Sequence, residues 1–236
     1  MLSDVMEDYL KAIFTLQMEH SPPISTSLIA DHLEVTPPTV TSMMEKLEER
    51  GLVTREKYKG VELTEEGTTV ALEVIRHHRL IEAYLAEHLD YEWSEVHDEA
   101  DVLEHHISEE FERRVAETLD EPSVDPHGDP IPDENLESVP EDDTVSLSEV
   151  ESGQTVLVCR VRDRDADELA YLSEIGVVPG KELDVEEVTA VGMYRIRVDD
   201  RVDHLPESVA RTVSVRPISN AEPAGSRDDP NGVSTQ

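Results

Sequence analysis

One cysteine, Cys159, is present in 236 residues. Its isolation excludes an internal disulfide framework and every cysteine-rich zinc site, so any metal held here is bound through oxygen and imidazole. No apolar run reaches the length of about 18 residues that a membrane-spanning helix needs, which predicts no membrane partner. The start, MLSDVMEDYL, has neither the basic nor the apolar stretch of a secretory leader, and the expected location is the cytoplasm. A glycine-rich phosphate loop, a nucleophile elbow and a Cys-His arrangement are all missing, so hydrolase and nucleotide-binding readings lack support. Positive charge is scarce too: 20 Lys and Arg stand against 55 Asp and Glu, a formal net charge of -35, and only five of the cations are lysine. Affinity for nucleic acid comes largely from cations that displace counterions, so this balance argues at first against a polyanionic partner. The acids are spread along the whole chain, however, and not gathered in one tail. Such a surface resembles that of proteins from a salt-loaded cytoplasm, where self-repulsion is screened, and the expectation is a halophile's protein.

Apolar residues make up 37% of the chain, which suits two small cores better than one large one. Val5, Met6, Tyr9, Leu10, Ile13 and Phe14 recur at three- and four-residue spacing and predict a helix that starts near Ser3 or Asp4. Ser25 or Thr26 can cap a short second helix carrying Leu28, Ile29, Ala30 and Leu33. Thr36, followed by Pro37 and Pro38, opens a third helix with Val40, Met43, Met44 and Leu47 on its inner face and Gly51 as its stop. Two short extended runs around Lys57-Tyr58-Lys59-Gly60 read as a hairpin. This order describes a winged helix-turn-helix, and also fits a generic small α+β domain. Thr64 caps a long periodic stretch to about Leu89, Ser94 caps another through Ile107, and Phe111, Val115 and Leu119 mark a third. Their apolar faces exceed what a winged helix needs, which suggests a helical homodimer interface.

Six of the ten histidines, His77, His78, His88, His97, His105 and His106, fall on the two middle helices. Asp101, Glu104 and His105 stand at i, i+3 and i+4, His97 extends their stripe by a turn, and His78 and Glu82 form another i, i+4 pair. Carboxylates and imidazoles on facing helices can build a metal site inside a bundle; a solvated acidic face is the alternative in so acidic a chain. Lys46, Arg50, Arg55, Lys57 and Lys59 place three of the five lysines on the third helix and the hairpin, where a winged helix touches DNA phosphates. Scattered surface charge is the alternative there.

Several segments in combination resemble the metal-dependent repressors of the diphtheria-toxin-repressor and manganese-transport-regulator family: MEDYLKAIF, TPPTVTSMMEKLEERGLV, RGLVTREKYKGVELTEEG, RHHRLIEAYL, EVHDEADVLEHHISEEFERRV and DPHGDPIP. GVVPGKELDV, within residues 145–217, looks like the small SH3-like barrel that many members carry. The resemblance implies a fold that is mainly α with small β. It places a winged helix-turn-helix at 1–64, a helical metal-binding dimerisation domain at 65–140, a linker at 141–146, an SH3-like β-barrel at 147–217 and a disordered tail at 218–236. It implies a regulatory metal site at Asp8, Asp101, Glu104 and His105, and an ancillary site at His78, Glu82 and His97 with Asp165 and Glu168 from the barrel. Ser27, Thr36, Pro38, Thr39, Thr41, Ser42 and Lys46 would face the DNA groove, with Arg50, Arg55, Lys57 and Lys59 on phosphates.

The implied function is a homodimeric repressor of metal-uptake genes that binds double-stranded operator DNA with a transition-metal ion as co-repressor. Iron-sensing members carry Met and Cys where this chain has Asp8 and Asp101. Hard oxygen at both positions favours Mn(II), with Fe(II) as the alternative. Manganese-type members carry Glu where this chain has Lys11, whose charge can pair with a neighbouring carboxylate. Two other functions stay compatible with the composition: an acidic metal-buffering protein, and a winged-helix regulator of a small organic ligand.

Overall fold

The computed structural model describes residues 2–136, 143–162 and 166–218. Asp165, residues 141 and 142 of the expected linker and residues 219–236 of the expected tail lie outside them. The chain forms two compact units, Met1–Asp143 with Arg160–Glu174, and Thr144–Cys159 with Ile175–Gln236.

The first unit begins with α1 (Asp4–Glu19), whose first-turn acids Asp4 and Glu7 complement the helix dipole. It buries Tyr9, Leu10, Ile13 and Leu16. In α2 (Thr26–His32) the Ser25 hydroxyl accepts from the Leu28 N–H at 3.2 Å, satisfying an otherwise orphaned donor. The third helix, α3 (Pro37–Glu49), carries its two prolines in the first turn, where no intrahelical N–H is required, and buries Val40, Met44 and Leu47. Gly51 then takes a positive φ of 76° and turns the chain into the antiparallel hairpin β1 (Val53–Glu56) and β2 (Gly60–Leu63). Reciprocal backbone bonds between Ile24 and Val61, at 2.8 and 2.9 Å, pin this wing to the segment before α2. These elements share one apolar core and form a winged helix-turn-helix.

The long helix α4 (Glu65–His88) starts at Thr64, whose hydroxyl accepts from the Gly67 N–H at 3.0 Å. Ile81 and Leu85 pack with Val96 and Ala100 of α5 (Val96–Leu103), while Leu80 and Ala83 pack with Val115 and Ala116 of α6 (Glu109–Thr118). The helix expected from Ser94 to Ile107 is therefore shorter at both ends. Glu95, not Ser94, is its N-cap, and beyond Glu104 the chain tightens, with the His106 N–H bonded to the Leu103 carbonyl at 2.9 Å. Residues 121–132 fold back along α4, held by Arg76 on the Pro132 carbonyl at 2.6 Å and Arg79 on that of Pro130 at 2.5 Å. Arg160–Glu174 groups with this unit and not with the expected barrel. The Val161 N–H bonds the His127 carbonyl at 2.9 Å, and Arg160 and Arg162 pair with Asp129 and Glu19 at 3.2 Å each.

The second unit centres on a six-stranded sheet of order β3-β8-β4-β5-β6-β7, from β3 (Val145–Ser146), β4 (Gln154–Val161), β5 (Glu182–Val188), β6 (Met193–Val198), β7 (Arg201–Pro206) and β8 (Val213–Pro217). The helix α8 (Glu207–Ala210) precedes β8, whereas α7 (Ala166–Ile175), which follows β4 in the chain, belongs to the first unit up to Glu174. Val145 and Ser146, placed in the linker from sequence, pair with Val215 and Ser214 and so belong to the sheet. The expected closed barrel is seen as a β-sheet domain with β3 and β7 at its edges. Alternating burial along β5 and β6 places Leu183, Val185, Tyr194, Ile196 and Val198 in its core.

Gly67 sits inside α4, where alanine ordinarily adds about 1 kcal/mol of helix stability. A Cβ there would stand 1.9 Å from the Leu52 carbonyl oxygen, which is backbone and cannot swing away. Gly67→Ala is therefore expected to destabilise the first unit by about 1–3 kcal/mol, as overpacking does, and to lower the thermal midpoint. An unchanged or raised midpoint would show that this close packing is absent.

Candidate functional site

The polar side chains of α1, α4 and α5 converge in a cleft of about 820 Å³ whose lining includes Asp8, Lys11, His78, His97, Asp101 and His105. Among the described residues three groups of ligand-type atoms occur, the atoms of each lying within 4.8 Å of one another: Asp8, Glu104 and His105; His78, His97 and Asp101; and Glu82, Asp125 and His127. The first group joins the winged domain to the helical one. His105 Nε2 lies 2.9 Å from Asp8 Oδ1 and 3.3 Å from Glu104 Oε1, while its Nδ1 lies 2.7 Å from Glu7 Oε2.

Asp101, expected beside Asp8, points elsewhere. It accepts from Lys11 Nζ at 2.9 Å and lies 3.3 Å from His78 Nδ1 and 3.7 Å from His97 Nε2. The short α5 explains the division: Glu104 is the C-cap and His105 lies past the helix, so their side chains leave the stripe that carries His97 and Asp101. Glu82, expected with His78 and His97, contacts both through Oε1, at 2.9 and 3.2 Å, and has His127 Nδ1 at 3.8 Å. Its Oε2 is buried without a hydrogen-bond partner among the described residues. Glu168, on α7, is half-buried and outside the three groups found among the described residues.

Asp125, His127 and Glu7 were not anticipated as site residues. The DPHGDPIP segment held the signal for two of them, because its Asp, Pro and Gly make a turn that carries a histidine inward. Asp125 Oδ1 accepts from the N–H groups of His127 and Asp129, at 2.8 and 2.9 Å, which fixes that turn. Burial and the neighbouring Glu82 and Asp129 charges push the Asp125 carboxyl well up.

Electrostatics separate the groups further. Burial pulls His78 down, but the Glu82 charge and hydrogen bonds to Glu104 and Glu82 outweigh it and hold the imidazole at about 9. Burial likewise opposes the charge on Glu82, yet the His78 charge and bonds from three imidazoles hold that carboxyl well below its usual range. His105 is raised: burial works against the proton, and the Glu7 bond with the Glu104 and Asp8 charges prevails. Hard carboxylate oxygen and neutral imidazole in such groups suit a divalent cation of the manganese, iron or zinc series.

The second candidate surface is the outer face of α3 and the wing. Ser27, Thr36, Pro38, Thr39, Thr41, Ser42, Lys46, Arg50, Arg55, Lys57 and Lys59 are all exposed. Between residues 36 and 60 five Lys and Arg meet four Glu, so this face escapes the acidity of the rest of the chain. Part of the charge is internally paired, Arg55 with Glu48 at 3.5 Å and Lys59 with Glu56 at 2.6 Å. Tyr58 projects from the wing tip with Lys57 Nζ 5.0 Å from its ring centre.

A winged DNA-binding domain joined to a helical domain through a shared cation-type cluster defines a metal-responsive DNA-binding regulator. Family models agree on each part: the iron dependent repressor N-terminal DNA-binding domain matches residues 1–61, its metal-binding and dimerisation domain residues 64–133, and the FeoA domain residues 145–217. The iron-dependent repressor IdeR of Mycobacterium leprae is 34% identical over 229 residues, covering 92% of this chain and 99% of its own. The diphtheria toxin repressor of Corynebacterium efficiens is 32% identical over 226 residues, covering 92% and 97%. A solved manganese-dependent transcriptional repressor in complex with manganese is 35% identical with a TM-score of 0.83, covering 90% of this chain and all of its own. The chain belongs to the iron-dependent repressor family, whose members are metal-dependent DNA-binding transcriptional repressors and not enzymes. No helix among the described residues is long and apolar enough to cross a membrane.

A cation can bind His105 only after its proton leaves. Because His105 is held above its usual range, Mn(II) binding near pH 7 is expected to release protons, and affinity should rise as pH increases through the imidazole range. Calorimetry in two buffers of different ionisation enthalpy measures this. Identical heats in both would contradict a charged His105 at the site.

Proposed function

We propose that this protein is a cytoplasmic, homodimeric repressor of metal-uptake genes that binds its operator when Mn(II), or alternatively Fe(II), is plentiful. The observation that carries the reading is the grouping of Asp8 on α1 with Glu104 and His105 at the end of α5. Asp8, Glu104 and His105 hold the regulatory ion, and Glu82, Asp125 and His127 hold a second. A bound divalent ion supplies the positive charge that lets these carboxylates stay close. Asp8 thereby fixes α1, and with it the recognition helix, relative to the helical domain. Two recognition helices of a dimer reach successive major grooves only when they stand about 34–36 Å apart or at a multiple of that spacing. Metal and DNA then favour one geometry and strengthen each other reciprocally.

Manganese is favoured because both oxygens and imidazoles are hard or borderline donors and no sulfur ligand stands in the groups. Exposed Val102 and Phe111 on α5 and α6 supply apolar surface for the homodimer. At the DNA, Thr36, Thr39, Thr41 and Ser42 offer hydroxyl and methyl contacts, while Lys46, Arg50, Arg55, Lys57 and Lys59 hold phosphates. The spread of carboxylate over the surface supports a halophilic archaeal source, with the wing and α3 as the exception.

Fluorescence anisotropy on the promoter of its own or a nearby metal-transporter gene, at high KCl, tests the reading. Mn(II) is expected to strengthen binding by about 5- to 150-fold, the usual range of allosteric coupling, and Asp8→Ala or Glu104→Ala should abolish that gain. Equal binding with chelator would sink the co-repressor mechanism. Affinity should also fall less steeply with KCl than the roughly thousandfold or greater loss that an ordinary basic repressor suffers between 50 and 200 mM salt. A steep loss would count against the halophilic reading.

A further inference from the structure

Lys11 lies in the middle of the cation-type cluster. Its Nζ stands 2.8 Å from Glu104 Oε2, 2.9 Å from Asp101 Oδ1 and 3.0 Å from His78 Nδ1. Two of these three neighbours, His78 and Asp101, belong to the His78, His97 and Asp101 group, so the ammonium stands beside two of the three side chains that an ion at that group would need. The His78 ring is otherwise engaged as well: Nδ1 lies 2.5 Å from Glu104 Oε2 and Nε2 lies 2.9 Å from Glu82 Oε1. Glu104 divides its two oxygens, Oε2 toward Lys11 and His78, and Oε1 toward His105 at 3.3 Å.

We infer that Lys11 is a tethered cation standing in for a divalent ion at His78, His97 and Asp101, and that Glu104 is shared between this ammonium and the ion at Asp8 and His105. The inference rests on the metal reading of Asp8, Glu104 and His105. A lysine ammonium is a compact point charge whose donors serve the two convergent carboxylates of Asp101 and Glu104 when no exchangeable ion is present. It differs from a metal in being permanent. The junction of α1 with α5 then responds to a single exchangeable ion, because its neighbouring position is filled by the chain itself. His78, His97 and Asp101 act as a frame that positions Lys11 and, through Glu104, the regulatory ligands.

Equilibrium dialysis against Mn(II), with metal and protein counted by mass spectrometry and amino-acid analysis, tests this on the full chain. Lys11→Arg keeps the charge and should bind as many ions as wild type. Lys11→Met and Lys11→Glu open the position and should each bind one more ion per subunit, with a spin-coupled manganese signal absent from wild type, since Glu104 then bridges two ions. Asp8→Ala should lose one ion from wild type. If both Lys11→Met and Lys11→Glu, folded by circular dichroism, hold the wild-type number, Lys11 is not a substitute cation. If wild type itself binds no Mn(II) tightly, the metal reading fails first and this inference falls with it. If only Lys11→Met gains the ion, the substitution still stands, because removal of the ammonium alone has opened the position.

Discussion

Glu104 is a carboxylate with 1% of its surface exposed, and the junction between the two halves of the first unit depends on how its charge is compensated. An ionised carboxylate taken out of water is costly unless paired and hydrogen-bonded. Burial raises the Glu104 carboxyl, but the His78 bond and the Lys11 and His78 charges more than offset it, so the group stays ionised. Each partner comes from a different element: Lys11 from α1, His78 from α4, and His105 from the turn after α5. One acid therefore links α1, α4 and the turn after α5.

That arrangement links the winged domain directly to the helical domain. Asp8 and Lys11 lie on the same helix, one turn apart, and α1 also contributes Leu10 and Ile13 to the core beneath the recognition helix. A shift of α1 toward or away from Glu104 cannot be absorbed locally, because the packed core moves with it. The same logic places the acidity of the chain in context. Most carboxylates are solvated, a few are buried with imidazole or ammonium partners, and the α3 and wing surface is spared.

Much of this was legible in sequence. Apolar spacing located α1 to α4, Thr64 announced its cap, Ser25 was one of two candidates with Thr26 for the α2 cap, and Gly51 marked its turn, because local periodicity and capping chemistry determine those features. The stripe of Asp101, Glu104 and His105 was less faithful. It assumed an unbroken helix to Ile107, whereas α5 ends at Leu103, and tertiary pairing then sends Asp101 to Lys11 and His105 to Asp8. Asp125 and His127 escaped notice because a turn, not a helical period, carries them to Glu82. The division of the β-rich segment was equally hidden: contacts of Arg160, Val161 and Arg162 with residues far away in sequence draw that stretch to the helical unit.

In the proposed mechanism a metal at Asp8, Glu104 and His105 selects the spacing of the recognition helices. Electron-electron dipolar spectroscopy on the dimer, spin-labelled at the exposed position Ser42→Cys with Cys159→Ser, reads that spacing directly. A broad distance distribution is expected with chelator, a narrow one with Mn(II), and a broad one in both conditions when Asp8→Ala is added. Identical distributions with and without Mn(II) in a dimer that nevertheless binds the ion would contradict it.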